Sequence, residues 1–190
     1  TGASSVYAAG EGPAQPEAGA QSIRSVPTGA GAGNRTGAEQ LLAELEARGG
    51  ESMAALQELR HVTSRLTEEG LVIDIYEKPD VALFGGEDGN TPTPVLRETL
   101  AIVAEAFRIV SNDVAIATHV PALPLARAER PVWEITTARA LAVREAVEQA
   151  GLPAARLRKV TGYADRDPME ADPLDVRNGR VEIVLLRDDG

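Results

Sequence analysis

Arg139 is the side chain around which a binding chemistry can be drawn. It lies in a stretch, 133–151, whose Ile135, Ala138, Ala142 and Ala146 fall three to four apart and make a narrow apolar stripe along a helix. At about 100° per residue Arg139 falls between Ala138 and Ala142, beside that stripe. It is also close to the helix start, where the macrodipole disfavours a cation. A guanidinium so placed calls for an anion. The partner is an internal Asp or Glu, or the carboxylate of a ligand; snorkelling to solvent is the third possibility. Catalytic chemistry has much less to work with. The chain holds two histidines and no cysteine, and neither a His-x-x-x-His nor a Gly-x-Ser-x-Gly arrangement is present. His119 and Asp165 can be drawn into a triad with a Ser or Thr, but no local spacing supports it. His61 reads as a surface or packing histidine. The glycine-rich run from Phe84 through Asn90 lacks the Gly-Lys-Ser/Thr ending of a phosphate cradle and puts Glu87 and Asp88 where phosphate would sit. It also has too few oxygen ligands for a calcium loop, and is expected to be a flexible surface turn.

The elements that position Arg139 form one β-α-β unit: a strand over 114–120, a Pro-rich loop, the helix, and a strand over 157–163. Val114, Ile116, Thr118 and Val120 alternate with Ala115, Ala117 and His119, as in a strand whose two faces meet different surroundings. Upstream, short helices are expected over 38–48 and, with Ser52 as N-cap and Leu56, Leu59, Val62 and Leu66 at helical spacing, over 52–69. Leu71, Ile73 and Ile75 mark a strand over 71–77, the first of the domain. Thr93 and Pro94 open a helix that ends near Val110, and Val181, Ile183 and Leu185 mark a last strand over 181–187. The class is α/β or α+β, one mixed sheet with helices packed on it. Residues 1–36, rich in Gly, Ala and Pro, cannot bury enough apolar area to offset their ordering and are expected to be a flexible linker. Residues 37–69 then form a helical linker and 70–190 the folded domain.

With 19 basic and 29 acidic side chains the 190-residue chain carries a formal charge of −10, the wrong sign for a phosphate-backbone ligand, so no nucleic-acid partner is expected. The one basic run, Arg156, Arg158 and Lys159, is short. Absence of cysteine excludes a disulfide framework, a thiolate nucleophile and Cys-ligated zinc. No apolar run approaches the roughly 18 residues of a membrane helix, and no signal peptide is visible. Thr1 in place of Met suggests a piece of something longer.

The segment Trp133-Glu134-Ile135-Thr136-Thr137-Ala138-Arg139-Ala140 resembles the W-E-L-S-x-x-R-A signature of OmpA-like peptidoglycan-binding domains, in particular those of the flagellar stator B-subunit (MotB) family. Ala115-Ile116-Ala117-Thr118-His119 stands where that family carries I-x-I-x-G-H-T-D. Val160-Thr161-Gly162-Tyr163 with Pro168 is similar to its V-x-G turn, and Asn178-Gly179-Arg180-Val181-Glu182-Ile183 to its N-R-R-V-E-I. The likeness runs from about residue 71 to 186.

The resemblance implies an OmpA-like β-α-β-α-β-β mixed sheet and a non-enzymatic binding domain without cofactor or metal. It implies peptidoglycan as ligand, through charge-assisted pairing with a stem-peptide diamino acid. Carried over by position, the ligand-binding set is Thr118, His119, Arg139, Asn178 and Arg180. Pro121 replaces the family's Asp and Gly179 its first Arg, so the site looks degenerate, and Glu129, Glu134 and Asp165 are nearby acids that could substitute. The family further implies a homodimer, a stator A subunit (MotA) as partner of the full-length protein, contact with flagellar ring proteins, and a periplasmic place as part of an inner-membrane protein of a Gram-negative bacterium. The alternatives are another OmpA-like envelope anchor, or a protein-protein interaction domain that has lost peptidoglycan binding. For the retained residues the structural alternatives are internal pairing of Arg139, a turn formed by Asn178, and a buried, satisfied His119.

Overall fold

A computed structural model describes residues 50–123 and 131–187, together with the helical positions Ala43 and Ala47. The chain enters through helix α1 (Gly50–Glu58) and turns into strand β1 (Val62–Leu66), which pairs antiparallel with β2 (Gly70–Tyr76). A two-residue hairpin, β3 (Phe84–Gly85) with β4 (Thr91–Pro92), precedes helix α2 (Pro94–Phe107). Then come β5 (Val114–His119), helix α3 (Val132–Gln149), β6 (Leu157–Gly162) and β7 (Arg180–Leu186). The main sheet runs β1-β2-β7-β5-β6. β7 lies antiparallel between β2 and β5, and β5 and β6 are parallel across the α3 crossover. The expected β-α-β-α-β-β order is therefore present, with β1 added at one edge.

The two faces of this sheet differ in kind. Leu71, Ile73 and Ile75 of β2, Val114 and Ile116 of β5, and Val181, Ile183 and Leu185 of β7 form one core with Met53 and Leu56 of α1, Leu96, Leu100, Val103 and Phe107 of α2, and Val143 and Val147 of α3. The alternate residues Val72, Ala115 and Val184 make a small separate cluster on the other face. Thr93 caps α2 as its spacing predicts, its hydroxyl accepting from Leu96 N at 3.4 Å with Pro94 in the first turn.

Two expected features differ. The helix expected over 52–69 stops at Glu58, and 62–66 is strand. Leu56 and Val62 do share the core, which is what the helical spacing detected. But Val62 and Thr63 are β-branched, and Gly70 at φ +146° permits a tight reversal in which Thr67 N donates to Gly70 O at 2.8 Å. The hairpin then supplies β1 with a partner along its whole length, so 71–77 is the second strand of the sheet. The buried stripe of α3 is Thr136, Ala140, Val143 and Val147, one position round from the alanine stripe expected, because the two valines bury more area than any alanine. The helix expected over 38–48 lies outside the described residues apart from Ala43 and Ala47, both helical.

The start of α3 is fixed to the sheet by a set of close contacts. Thr118 Oγ1 donates to Thr136 O at 2.6 Å, and Thr136 Oγ1 accepts from Ala164 N at 3.2 Å. Gly162 permits the approach: a Cβ there would sit 2.6 Å from Thr136 Oγ1 and from Thr137 N and 2.7 Å from Thr136 C, and the two helix backbone atoms cannot swing aside as a side chain could. Gly162→Ala is therefore expected to lower stability by about 1–3 kcal/mol, as overpacking does. The check is urea unfolding, with a lower midpoint at unchanged slope.

Candidate ligand-binding site

Arg139 projects from the second turn of α3 toward the β3–β4 hairpin. Its Nε and Nη2 donate to Gly89 O at 3.2 and 2.9 Å, and its guanidinium stacks 4.5 Å from the centroid of the Phe84 ring. One contact along the edge of the guanidinium and one on its face hold it in one orientation. The glycine-rich run is thus a folded hairpin with Phe84 buried, tied by its Gly89 carbonyl to α3, where a flexible turn was expected. Beside Arg139 lies a cleft of about 130 Å³ walled by Val120, Pro121, Leu123, Val132 and Ile135, with Glu77 opposite.

Glu77 is the acid at this cleft, and the spacing of sequence motifs gave no sign of it. It follows β2 directly, and its backbone N donates to Gly179 O at 2.7 Å. Burial pushes its carboxyl above the ordinary value, against the opposing pull of Arg139 and of the Leu83 backbone N–H that it accepts. Of the acids expected to substitute for the family's Asp, Glu134 is exposed on α3, Asp165 lies 3.5 Å from Arg166, and Glu129 lies outside the described residues. The signal that could have found Glu77 is the register of β7 on β2: Tyr76 pairs with Arg180, so residue 77 meets residue 179.

The five residues of the expected set do not gather around one point; Arg139 is the one among them that lines this cleft. Thr118 is buried and committed to Thr136. Asn178 is buried, accepting from Glu170 N and donating to Asp172 O, both at 2.8 Å, so it braces the acidic loop before β7. His119 and Arg180 lie on the opposite face of the sheet. There Arg180 Nε donates to Glu182 Oε1 at 2.8 Å and Nη1 to Asp167 O at 2.8 Å. Arg65 extends the network by donating to Asp74 at 2.8 Å, and burial raises the Asp74 carboxyl despite that bond.

His119, 2% exposed, stacks at 5.0 Å and 3° on the Tyr163 ring. Its Nε2 lies 3.5 Å from Glu182 Oε1, but burial first, and the charge of Arg180 next, push its imidazolium down to about 4. It is neutral at pH 7, and the contact is no ion pair. His119, Asp167 and Glu182 bring potential metal-ligand atoms within 4.8 Å of one another. Arg180 Nη2 already sits 3.3 Å from Asp167 and 2.8 Å from Glu182, so a guanidinium fills the place a divalent cation would take.

A mixed sheet with helices on one face, a parallel β-α-β unit whose crossover helix carries an arginine, and a cleft at the strand ends together define an OmpA-type domain. The sequence model of the OmpA family matches residues 88–182, half of the chain, and the chain belongs to that family. Motility protein B of Escherichia coli K12 is 27% identical over 140 residues, covering 72% of this chain and 45% of that protein. The chain thus spans less than half the length of this curated relative. Among solved structures, a MotB-like protein of Desulfovibrio vulgaris superposes with a TM-score of 0.63 at 20% identity over 83% of this chain and 98% of that one. The periplasmic domain of Helicobacter pylori MotB gives 0.54 at 15% identity over 67% and 82%. At these identities the two structures share the fold.

The low affinity of His119 for a proton makes stability depend on pH. Its folded-state value lies below the unfolded one of about 6.5, so the unfolded chain takes up the proton first, and stability falls as pH drops from about 6.5 toward 4. His61, also lowered by burial, acts in the same direction, whereas Asp74 and Glu77 act oppositely. Replacing His119 with Phe keeps the stack on Tyr163 and should remove about 2–3 kcal/mol of the difference between pH 7 and pH 4.5. Urea unfolding of both proteins at the two pH values measures it.

Proposed function

We propose that this domain is the wall anchor of a flagellar stator: it binds peptidoglycan in the cleft beside Arg139 and so holds a torque-generating ion-channel unit in place. The observation that carries this is the guanidinium of Arg139, fixed by Gly89 and Phe84 at the mouth of a cleft in an OmpA-family domain. A pre-oriented guanidinium is suited to a carboxylate, which it can take in bidentate fashion without first losing side-chain freedom. The names of the relatives support the flagellar setting.

On this reading the domain works in the periplasm as part of an inner-membrane protein, as a homodimer with a stator A subunit (MotA), and within reach of the flagellar ring proteins. The segment before residue 70 takes part in activating the channel. Binding rather than turnover is the activity: His119 is sequestered and neutral, and no acid, base and nucleophile converge among the described residues. Pro121 and Gly179 alter the site without emptying it of charge, because Glu77 stands in the cleft.

Co-sedimentation with purified insoluble peptidoglycan tests the proposal. The wild-type chain should pellet, less so at high salt. Arg139→Ala should weaken pelleting about 10- to 100-fold, the loss of a charge-assisted contact. Arg139→Lys keeps the charge without the planar fork and should recover only part of the binding. Wild-type protein that is folded and dimeric yet stays in the supernatant would overturn the anchoring role.

A further inference from the structure

We propose that Glu77 is the ligand-binding acid of this cleft, that it receives an ammonium group while Arg139 takes the neighbouring carboxylate, and that Gly179 is glycine in order to admit it. The inference deepens the wall-binding reading by naming the acid and the part of the polymer it contacts, the zwitterionic end of a stem-peptide diamino acid.

The geometry rests on three positions at the ends of adjacent strands. At the end of β5, Pro121 offers no charge to the cleft, only an apolar wall. At the start of β7, Gly179 has φ −73°, a conformation open to any residue, so backbone freedom does not explain it. Space does: a Cβ at Gly179 would lie 2.7 Å from Glu77 Oε2 and 3.1 Å from its Cδ. A side chain there would push the carboxylate away. At the end of β2, Glu77 is held by its own backbone bond to Gly179 O and by the Leu83 amide at its carboxylate. The acid lost at the end of β5 thus reappears from β2, and the residue beside it is reduced to a hydrogen atom.

Charge and shape then select the ligand. One half-buried carboxylate and one fixed guanidinium share a cleft whose remaining lining is Val120, Pro121, Leu123, Val132 and Ile135. A ligand bearing one charge leaves the opposite protein group desolvated without a new partner, a cost of the kind that makes truncation of buried ion pairs expensive. An α-ammonium carboxylate answers both groups, and its methylenes meet the apolar wall. A volume of about 130 Å³ is of the size of such a head group with its first few methylenes.

The test titrates the 190-residue chain with three probes of one carbon skeleton, followed by NMR: meso-2,6-diaminopimelate, pimelate without the ammonium groups, and cadaverine without the carboxylates. Diaminopimelate should bind at least 10-fold more tightly than either of the others. Glu77→Gln, which keeps shape and removes charge, should weaken diaminopimelate about 10- to 100-fold and leave pimelate unchanged, whereas Arg139→Ala should weaken both. Gly179→Ala should weaken diaminopimelate with the fold intact, and Glu77→Gln combined with Pro121→Asp should restore much of the loss. Equal affinity of wild type and Glu77→Gln for diaminopimelate would overturn the assignment, as would failure of the wild type to bind it at millimolar concentration. Diaminopimelate binding that depends on Glu77, in a protein that does not pellet with peptidoglycan, would support Glu77 and overturn the anchoring role. Pelleting lost in Arg139→Ala but unchanged in Glu77→Gln would do the reverse.

Discussion

The contact between the first turn of α3 and the ends of β5 and β6 is the constraint on which the rest of the structure depends. Thr118 donates into the helix backbone, Thr136 accepts from Ala164 N, and Gly162 removes the one Cβ that would hold the two backbones apart. A helix start docked by hydrogen bonds and a missing methyl group has little freedom to slide. Arg139, one turn further on, inherits that position, and the Gly89 carbonyl and the Phe84 ring finish the placement. A binding arginine on a helix that could shift by an ångström would lose much of the advantage of its planar fork.

The sheet separates two kinds of electrostatics. On its open face two arginines, Arg65 and Arg180, and three acids, Asp74, Glu182 and Asp167, form one linked ion-pair network, and His119 is stacked on Tyr163 beside it. Such a network is costly to break at one member. At the strand ends on the helical side, Glu77 and Arg139 share a small apolar cleft. A cleft opens at both places, about 690 Å³ along Arg65, His119, Asp167 and Glu182 and about 130 Å³ beside Arg139; what distinguishes them is that the acids and arginines of the first are already tied to one another by short ion pairs.

The β-α-β unit and the strands over β2, β5, β6 and β7 were legible in the sequence because period-2 alternation and glycine or proline stops are local signals. β1 was not, since Leu56, Leu59, Val62 and Leu66 satisfy a helical spacing, and the hairpin that overrides it depends on a partner strand and on Gly70. The α3 stripe was misplaced by one residue because a run of alanines looks apolar while contributing little buried area. Arg139 stands out in the sequence through its conflict with the helix dipole. Glu77 was invisible: it sits more than sixty residues from Arg139 in the chain, and it enters the site through strand register rather than through any motif. His119 and Arg180 were grouped with Arg139 by order along the chain, but adjacent residues on a strand face opposite ways, which sends His119 and Arg180 to the far side of the sheet.

Antiparallel pairing of β1 with β2 sets Val62 opposite Ile75, two residues from Glu77. The chain therefore enters the sheet at the same end as the cleft. In an anchor, tension arriving along the polypeptide and resisted at the ligand would act between the ends of two neighbouring strands. The loaded path is then short, through α1, its turn and the first hydrogen bonds of β1, and most of the length of the sheet and the core beneath α2 lie to one side of it. A grip that fails under pulling would be expected to yield first at the β1 edge, which can peel and re-form while the cleft and its helix keep their shape.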